Sequence, residues 1–301
     1  MIPFVSGFIS ISGRTNVGKS TFLNAVIGEK IAITTFRPQT TRNRIIGVKN
    51  YADAQLIFLD TPGIHRPRHK LGEMMVKTSL NALAEVDVIF FMVEPCHATE
   101  EDMFIINNLK NLDKPVFLLI NKIDTIKKYE ILPVIDEYRK LYSFEEIIPI
   151  SALKGEGIEE SITIVKKFLP QGPRYYPENI VTDQLERFMV SEIIREKVML
   201  ATEQEIPYSV AVEVNQWNER STDRTKESLP VIFIGAHIYV ERKSQKSIII
   251  GKKGSKLKQI GMQSRKDIEK LLNAKIYLSL WVKVQERWRA DLKILKEMGF
   301  N

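Results

Sequence analysis

Short apolar runs and amphipathic stretches alternate through the first half of the chain. "GFISISG" near the start, "RIIGVKN" and "AQLIFLD" around Asn50–Ala54, then "DVIFFMV", "PVFLLIN" and "IIPIS" are short apolar runs rich in β-branched and aromatic residues. Each is too short for a helix and reads as a buried strand. Between them, polar and apolar positions recur at helical spacing. "KSTFLNAVIGE" predicts a helix ending near Gly28, and further helices are expected at about Gly72–Glu85, Glu100–Leu112, Ile131–Leu141 and Gly157–Leu169. Strand and helix in alternation predict an α/β domain with a mostly parallel sheet and helices on both faces.

Pro170, Gly172, Pro173 and Pro177 interrupt this pattern, so the first domain is expected to span 1–170, with a linker at 171–180. Beyond it, Leu185, Phe188, Met189, Ile193 and Leu200 have helical spacing. "YSVAVEVNQW" and "LPVIFIGAHIYVER" read as strands flanking the polar loop "NERSTDRTKES". Leu257, Ile260, Ile268 and Leu271 then line one face of a basic helix, "KIYLSLWVKV" alternates as a strand, and an amphipathic helix follows. Residues 181–301 are therefore expected to form a second, α+β domain.

The chain's 301 residues are enough for two ordinary domains. No apolar run is long enough to span a bilayer. The opening "MIPFVSGFISISGR" has no basic residue ahead of its apolar part and runs into a glycine loop, so it reads as a strand and not as a leader. The single cysteine, Cys96, makes no internal disulfide; a reducing cytoplasm and a small buried role are expected for it. Net charge is +7 and unevenly placed: residues 1–170 hold 21 Lys+Arg against 20 Asp+Glu, and 171–301 hold 23 against 17. The second half is where a polyanion, nucleic acid or an acidic membrane surface, would meet the chain.

"GRTNVGKS", followed by Thr21, has the form G-x-x-x-x-G-K-[ST] between a predicted strand and a predicted helix. Gly13, Arg14, Thr15, Asn16, Val17, Gly18, Lys19, Ser20 and Thr21 are accordingly candidates to hold nucleotide phosphates. Glycines let the backbone wrap closely, amides at a helix start face negative charge, Lys19 reaches the terminal phosphates, and the Ser20 hydroxyl suits Mg²⁺. "DTPG" places Asp60 at a strand's C-terminal edge, where its carboxylate would hold the Mg²⁺ shell, with Thr61, Pro62 and Gly63 next to the γ-phosphate. "NKID" ends another strand. Asn121 and Lys122 open it, and the Asp124 carboxylate would accept the N1–H and amino group of guanine, a donor pair that adenine lacks. "SAL", Ser151, Ala152 and Leu153, would offer a backbone N–H to the guanine carbonyl. "PQTTRNR" between the first two motifs suits a switch loop.

These motifs in this order resemble the small translation-associated GTPases, and "QTTRN" with "DTPG" is similar to the Era family. The resemblance implies GTP and GDP as ligands, Mg²⁺ as cofactor, Thr41 in preference to Thr40 as a further Mg²⁺ ligand, and a catalytic group of Lys19, Thr41, Gly63 and Asn16. It also implies a K⁺ ion at Asn16 supplying charge in the transition state. Family members read "GRPNVGKS", and this chain has Thr15 at the proline position. Ile64 stands where Ras-like enzymes have a water-orienting glutamine, so slow intrinsic hydrolysis is expected. His65 and His69 are expected in a second switch, and His97 and His237 have no metal-ligand spacing around them.

"SIIIGKKGSKLKQIG" contains the second glycine loop. Gly251-Lys252-Lys253-Gly254 lies between an apolar segment and a basic helix, in a strand–strand–helix–loop–helix–strand order. This resembles the prokaryotic-type KH fold, whose GXXG loop clamps about four single-stranded nucleotides. Lys252 and Lys253 would neutralise phosphates, Lys256 and Lys258 would extend the basic edge, and Ile249, Ile250 and Ile260 would floor a groove for bases. Trp217, Trp281 and Trp288 are expected to pack in the core or at edges.

A GTPase domain followed by a KH domain is similar to the Era family over nearly the whole chain. The resemblance implies binding near the 3′ end of small-subunit ribosomal RNA, rRNA processing and small-subunit biogenesis by a cytoplasmic monomer, with peripheral contact to the inner membrane. A tRNA-modification or membrane-linked GTPase, and a nucleic-acid binder holding a structural nucleotide, are the competing readings.

Overall fold

The computed structural model describes residues 3–67, 69–220 and 230–300. The chain divides into two compact units, Met1–Asp183 and Gln184–Asn301.

The first unit holds β1 (Val5–Ser12), α1 (Lys19–Ile27), β2 (Ile45–Asn50), β3 (Ala54–Asp60), α2 (Lys70–Ala84), β4 (Val88–Val93), α3 (Glu100–Leu109), β5 (Val116–Ile120), α4 (Ile131–Leu141), β6 (Glu146–Pro149) and α5 (Ile158–Val165). The sheet order is β2-β3-β1-β4-β5-β6. β2 runs antiparallel to β3, since a short turn closes the pair; the other pairings are parallel and are joined through helices. Both faces are covered. Ala82 and Leu83 of α2, Ile105 and Ile106 of α3, and Tyr138 of α4 pack on Ile57, Ile89 and Phe91. On the opposite face Phe22 of α1 meets Phe58 and Phe90 edge to face. The expected elements are present with shifted ends. α2 starts two residues early because His69 caps it, accepting from the Gly72 amide, and α3 stops at Leu109.

The segment expected as a linker, 171–180, is held along the first unit instead. Gln55 Oε1 accepts the amides of Tyr175 and Tyr176 (2.7 and 3.0 Å), the Val48 amide donates to Val181 (2.8 Å), and the Thr182 hydroxyl donates to Ile46 (2.7 Å). This strap takes up backbone groups of β2, the edge strand. Cys96 is exposed, not buried.

The second unit holds α6 (Glu186–Ala201), β7 (Ala211–Arg220), β8 (Val231–Val240), α7 (Lys243–Ile250), α8 (Ser255–Leu272), β9 (Lys275–Val284) and α9 (Leu292–Glu297). Its sheet order is β7-β8-β9, with β7 antiparallel and β9 parallel to β8. The parallel pair requires a crossover, which α7 and α8 supply. Helices cover one face: Val190 and Ile194 of α6, Ile249 of α7, and Ile260 and Ile268 of α8 pack on Ile234, Ile238, Ile276 and Val282. Ile249 and Ile260 are therefore core residues and do not floor a groove, as the sequence pattern had suggested. Of the polar loop between β7 and β8, residues 221–229 lie outside the described residues. Trp288 is buried, and its indole N–H donates to the Ser209 carbonyl at 2.9 Å.

Candidate functional site

The C-terminal ends of β1, β3 and β5 converge where the strand order reverses around β1, the place where open α/β sheets bind ligands. Gly18, at φ 106°, starts α1. A Cβ there would lie 2.2 Å from Asn121 Nδ2, so both conformation and space require glycine. Lys19 is buried and donates from Nζ to the Gly13 and Arg14 carbonyls (3.2 and 2.9 Å), which curls the loop back on itself. Burial, more than any charge, pulls its pKa down to about 8. A cleft of about 110 Å³ opens over this loop, lined by Thr15, Lys19, Ser20, Thr41, Gly63 and Lys122 among others.

Ser20, Thr41 and Asp60 meet at one point. The Ser20 hydroxyl donates to Asp60 Oδ2 (2.6 Å), and Thr41 Oγ1 lies 2.8 Å from Ser20 Oγ and 3.2 Å from Asp60 Oδ2. Thr40 is turned elsewhere, donating to the Arg37 carbonyl at 2.7 Å. Asp60 Oδ1 is buried with no hydrogen-bond partner among the described residues, and burial raises the carboxyl's pKa. Two hydroxyls and a buried carboxylate with an uncommitted oxygen are hard donors that fit Mg²⁺.

The loop after β3 folds onto the phosphate loop. The Thr61 hydroxyl donates to Ile11 (3.1 Å), Pro62 accepts from the Ser79 hydroxyl (2.7 Å), and the Ile64 amide donates to Gly13 (3.2 Å). A Cβ on Gly63 would stand 2.6 Å from Thr15 Cα. Ile64 is buried in the hydrophobic core. His65 joins this loop to the segment between α1 and β2: its Nδ1 lies 2.9 Å from the Gly63 carbonyl and its Nε2 lies 3.1 Å from Gln39 Nε2. One tautomer satisfies both, with Nδ1–H donating and Nε2 accepting.

At the base end, Asn121 donates to Val17 (2.8 Å) and accepts the Ala152 amide (2.9 Å). The Ala152 N–H thus serves Asn121 in this arrangement. Asp124 accepts the Ser151 hydroxyl at 2.6 Å, and this bond holds its pKa below the usual range. Leu153 is exposed beside them. Lys122, in the left-handed region at φ 66°, donates from Nζ to the carbonyl of exposed Asn16 (2.8 Å). Sequence reasoning missed Glu94, just past β4. It pairs with Arg14 (2.5 Å) and with Lys122, tying the phosphate loop to the base-end loop. A lone carboxylate after an apolar run has no motif that would have revealed it.

In the second unit, the chain turns between α7 and α8 through Gly251 (φ 72°), Lys253 (φ 51°) and Gly254 (φ 78°). A Cβ on Gly251 would meet Lys256 Cβ at 2.8 Å, so glycine is required there twice over. Lys252, Lys253 and Lys258 are exposed, and Lys256 is half-buried against Gly251.

The family model described as "50S ribosome-binding GTPase" matches residues 8–122, and the KH domain model matches residues 205–289. The crystal structure of Era in complex with MgGDPNP and nucleotides 1506–1542 of 16S ribosomal RNA superposes with a TM-score of 0.94. It is 41% identical to this chain and covers 99% of both chains. The chain belongs to the Era family. A point variant of Aquifex aeolicus Era bound to GDP·AlF4⁻ matches equally, with a TM-score of 0.94, 41% identity and 99% coverage of both chains. As an Era-family chain it joins a P-loop GTPase domain to a KH domain.

Proposed function

We propose that this chain is a GTPase that binds and slowly hydrolyses GTP, and that its KH domain binds single-stranded RNA near the 3′ end of small-subunit ribosomal RNA during assembly of that subunit. One observation carries the reading. The residues expected to meet phosphate, metal and guanine gather at the strand ends of one unit and share a chain with a GXXG loop of positive φ, and 99% of the chain matches an Era bound to MgGDPNP and RNA.

The Gly13–Thr21 loop and Lys19 would hold the phosphates, Ser20, Thr41 and Asp60 would hold Mg²⁺, and Asn121, Asp124 and Ser151–Leu153 would position guanine. Mg²⁺, when bound, neutralises charge on the phosphate oxygens. Lys19, kept in its charged form by phosphate, would add to this. With Ile64 buried, the attacking water would be placed by backbone or by another element, which fits slow turnover. Exposed Asn16 is where a K⁺ ion would add charge, and equal rates in KCl and NaCl would remove that ion from the account.

Lys252, Lys253 and Lys258 meet RNA phosphates, while glycine at 251 and 254 lets the backbone approach. GTP acts on RNA binding only so far as the two nucleotide states differ in RNA affinity. RNA crosslinking in cells with the intact chain and with Gly251→Asp tests the assignment. One small-subunit rRNA site, lost in the variant, is expected; signal scattered over messages would overturn it.

A further inference from the structure

The open face of the second sheet, opposite α6, α7 and α8, carries chemistry that the GXXG loop does not use. Along β9, Lys275, Tyr277, Trp281 and Lys283 are exposed, whereas Ile276 and Val282 are buried. The strand register sets Phe233 of β8 beside Tyr277 and His237 beside Trp281, with ring centroids 5.3 and 5.9 Å apart. Tyr277 is 61% exposed and Trp281 44%, large aromatics that a merely structural sheet would cover. Between the pairs lies Gly235. A Cβ there would come within 3.1 Å of the Trp281 ring, so the indole leans over the sheet. Glu213, on the neighbouring strand, accepts the Tyr239 hydroxyl at 2.7 Å.

We propose that this face is a second RNA surface. Unpaired bases stack on the Phe233–Tyr277 and His237–Trp281 pairs, and Lys275 and Lys283 meet the flanking phosphates. Aromatic faces with cations at both ends of one strand suit single-stranded nucleic acid, because every base has a π-face and every linkage a negative charge. The proposal rests on the RNA reading above and deepens it. A GXXG loop clamps about four nucleotides, whereas the RNA held by the Era relative runs from 1506 to 1542. A ligand of that length extends well beyond the nucleotides the loop clamps.

The test uses the full chain, RNA of nucleotides 1506–1542, and short pieces tiled across it. Tyr277→Ala/Trp281→Ala is expected to lose at least about fivefold in affinity for the long RNA. It should keep parental affinity for the short piece whose binding Gly251→Asp abolishes, which also shows that the variant is folded. Tyr277→Phe/Trp281→Phe keeps the π-faces and should restore binding. Parental affinity of the alanine variant for the long RNA, with the Gly251→Asp loss intact, overturns the proposal and leaves the GXXG reading standing. Loss of self-association in the alanine variant, with RNA affinity unchanged, would make the face a contact between copies and also overturn it. A loss in the alanine variant with none in Gly251→Asp supports this face and overturns the GXXG reading.

Discussion

The Asn121 amide donates to the Val17 carbonyl across 2.8 Å and so joins the end of β5 to the phosphate loop. The same side chain accepts the Ala152 amide, so three loops meet on one residue. Asn121→Ala strands two buried backbone groups, at about 1–3 kcal/mol each. Affinities for GTP and GDP should fall together by about ten- to a hundredfold, with guanine still preferred over adenine. Titration with fluorescent nucleotides checks this, and unchanged affinities would show that the clamp does not organise the site.

Asp124 is ionised and held by the Ser151 hydroxyl. Its carboxylate would accept two donors from guanine in the proposed site; an amide at that position would offer a donor that matches a carbonyl at C2. Asp124→Asn should therefore weaken GTP by about a hundredfold or more and strengthen XTP. Competition between the two nucleotides reads the exchange.

Lys19 predicts a pH dependence of nucleotide binding. Below about pH 8 it is charged in both the free and the bound protein, and affinity is flat. Above that pH the free protein loses the proton while bound phosphate retains it, so binding must take a proton up. Affinity should fall by up to about tenfold per pH unit between about pH 8 and 9.5. Lys19→Arg, whose guanidinium stays charged, should bind with no such slope.

Burial raises the Asp60 pKa, so the folded carboxyl keeps its proton at pH values where the unfolded one has lost it. Its contribution to stability is present at low pH and is lost as pH rises through that shifted value. Mg²⁺ competes with this proton, so the extra thermal stability that Mg²⁺ adds to the GDP-bound chain should grow as pH rises through the raised Asp60 value. In Asp60→Asn that growth should shrink; an equal pH profile in both proteins would place the ion elsewhere.

Most of the fold was legible because its strands are continuous apolar runs with glycine or proline near their ends. β3 ends on Asp60 and Asn121 directly follows β5, and that placement made the motifs readable. What escaped depends on tertiary contact. Pro170 and Pro173 signal a chain break, yet nothing in them tells that Gln55 and Val48 will capture the following segment. Ile249 and Ile260 have the composition of a groove floor, but helical phase turns both into the core. Glu94 became visible only when two loops brought Arg14 and Lys122 to it. Trp281 and Trp288 look alike in sequence; one is sealed against Ser209 and the other stands half in water.

The central claim is that one chain couples a GTP site to an RNA site, and RNA affinity in the two nucleotide states measures it most directly. RNA of nucleotides 1506–1542 should bind the chain loaded with a non-hydrolysable GTP analogue and the chain loaded with GDP with affinities about fivefold or more apart. Gly251→Asp should abolish binding in both states. Equal affinities in the two states would contradict the account.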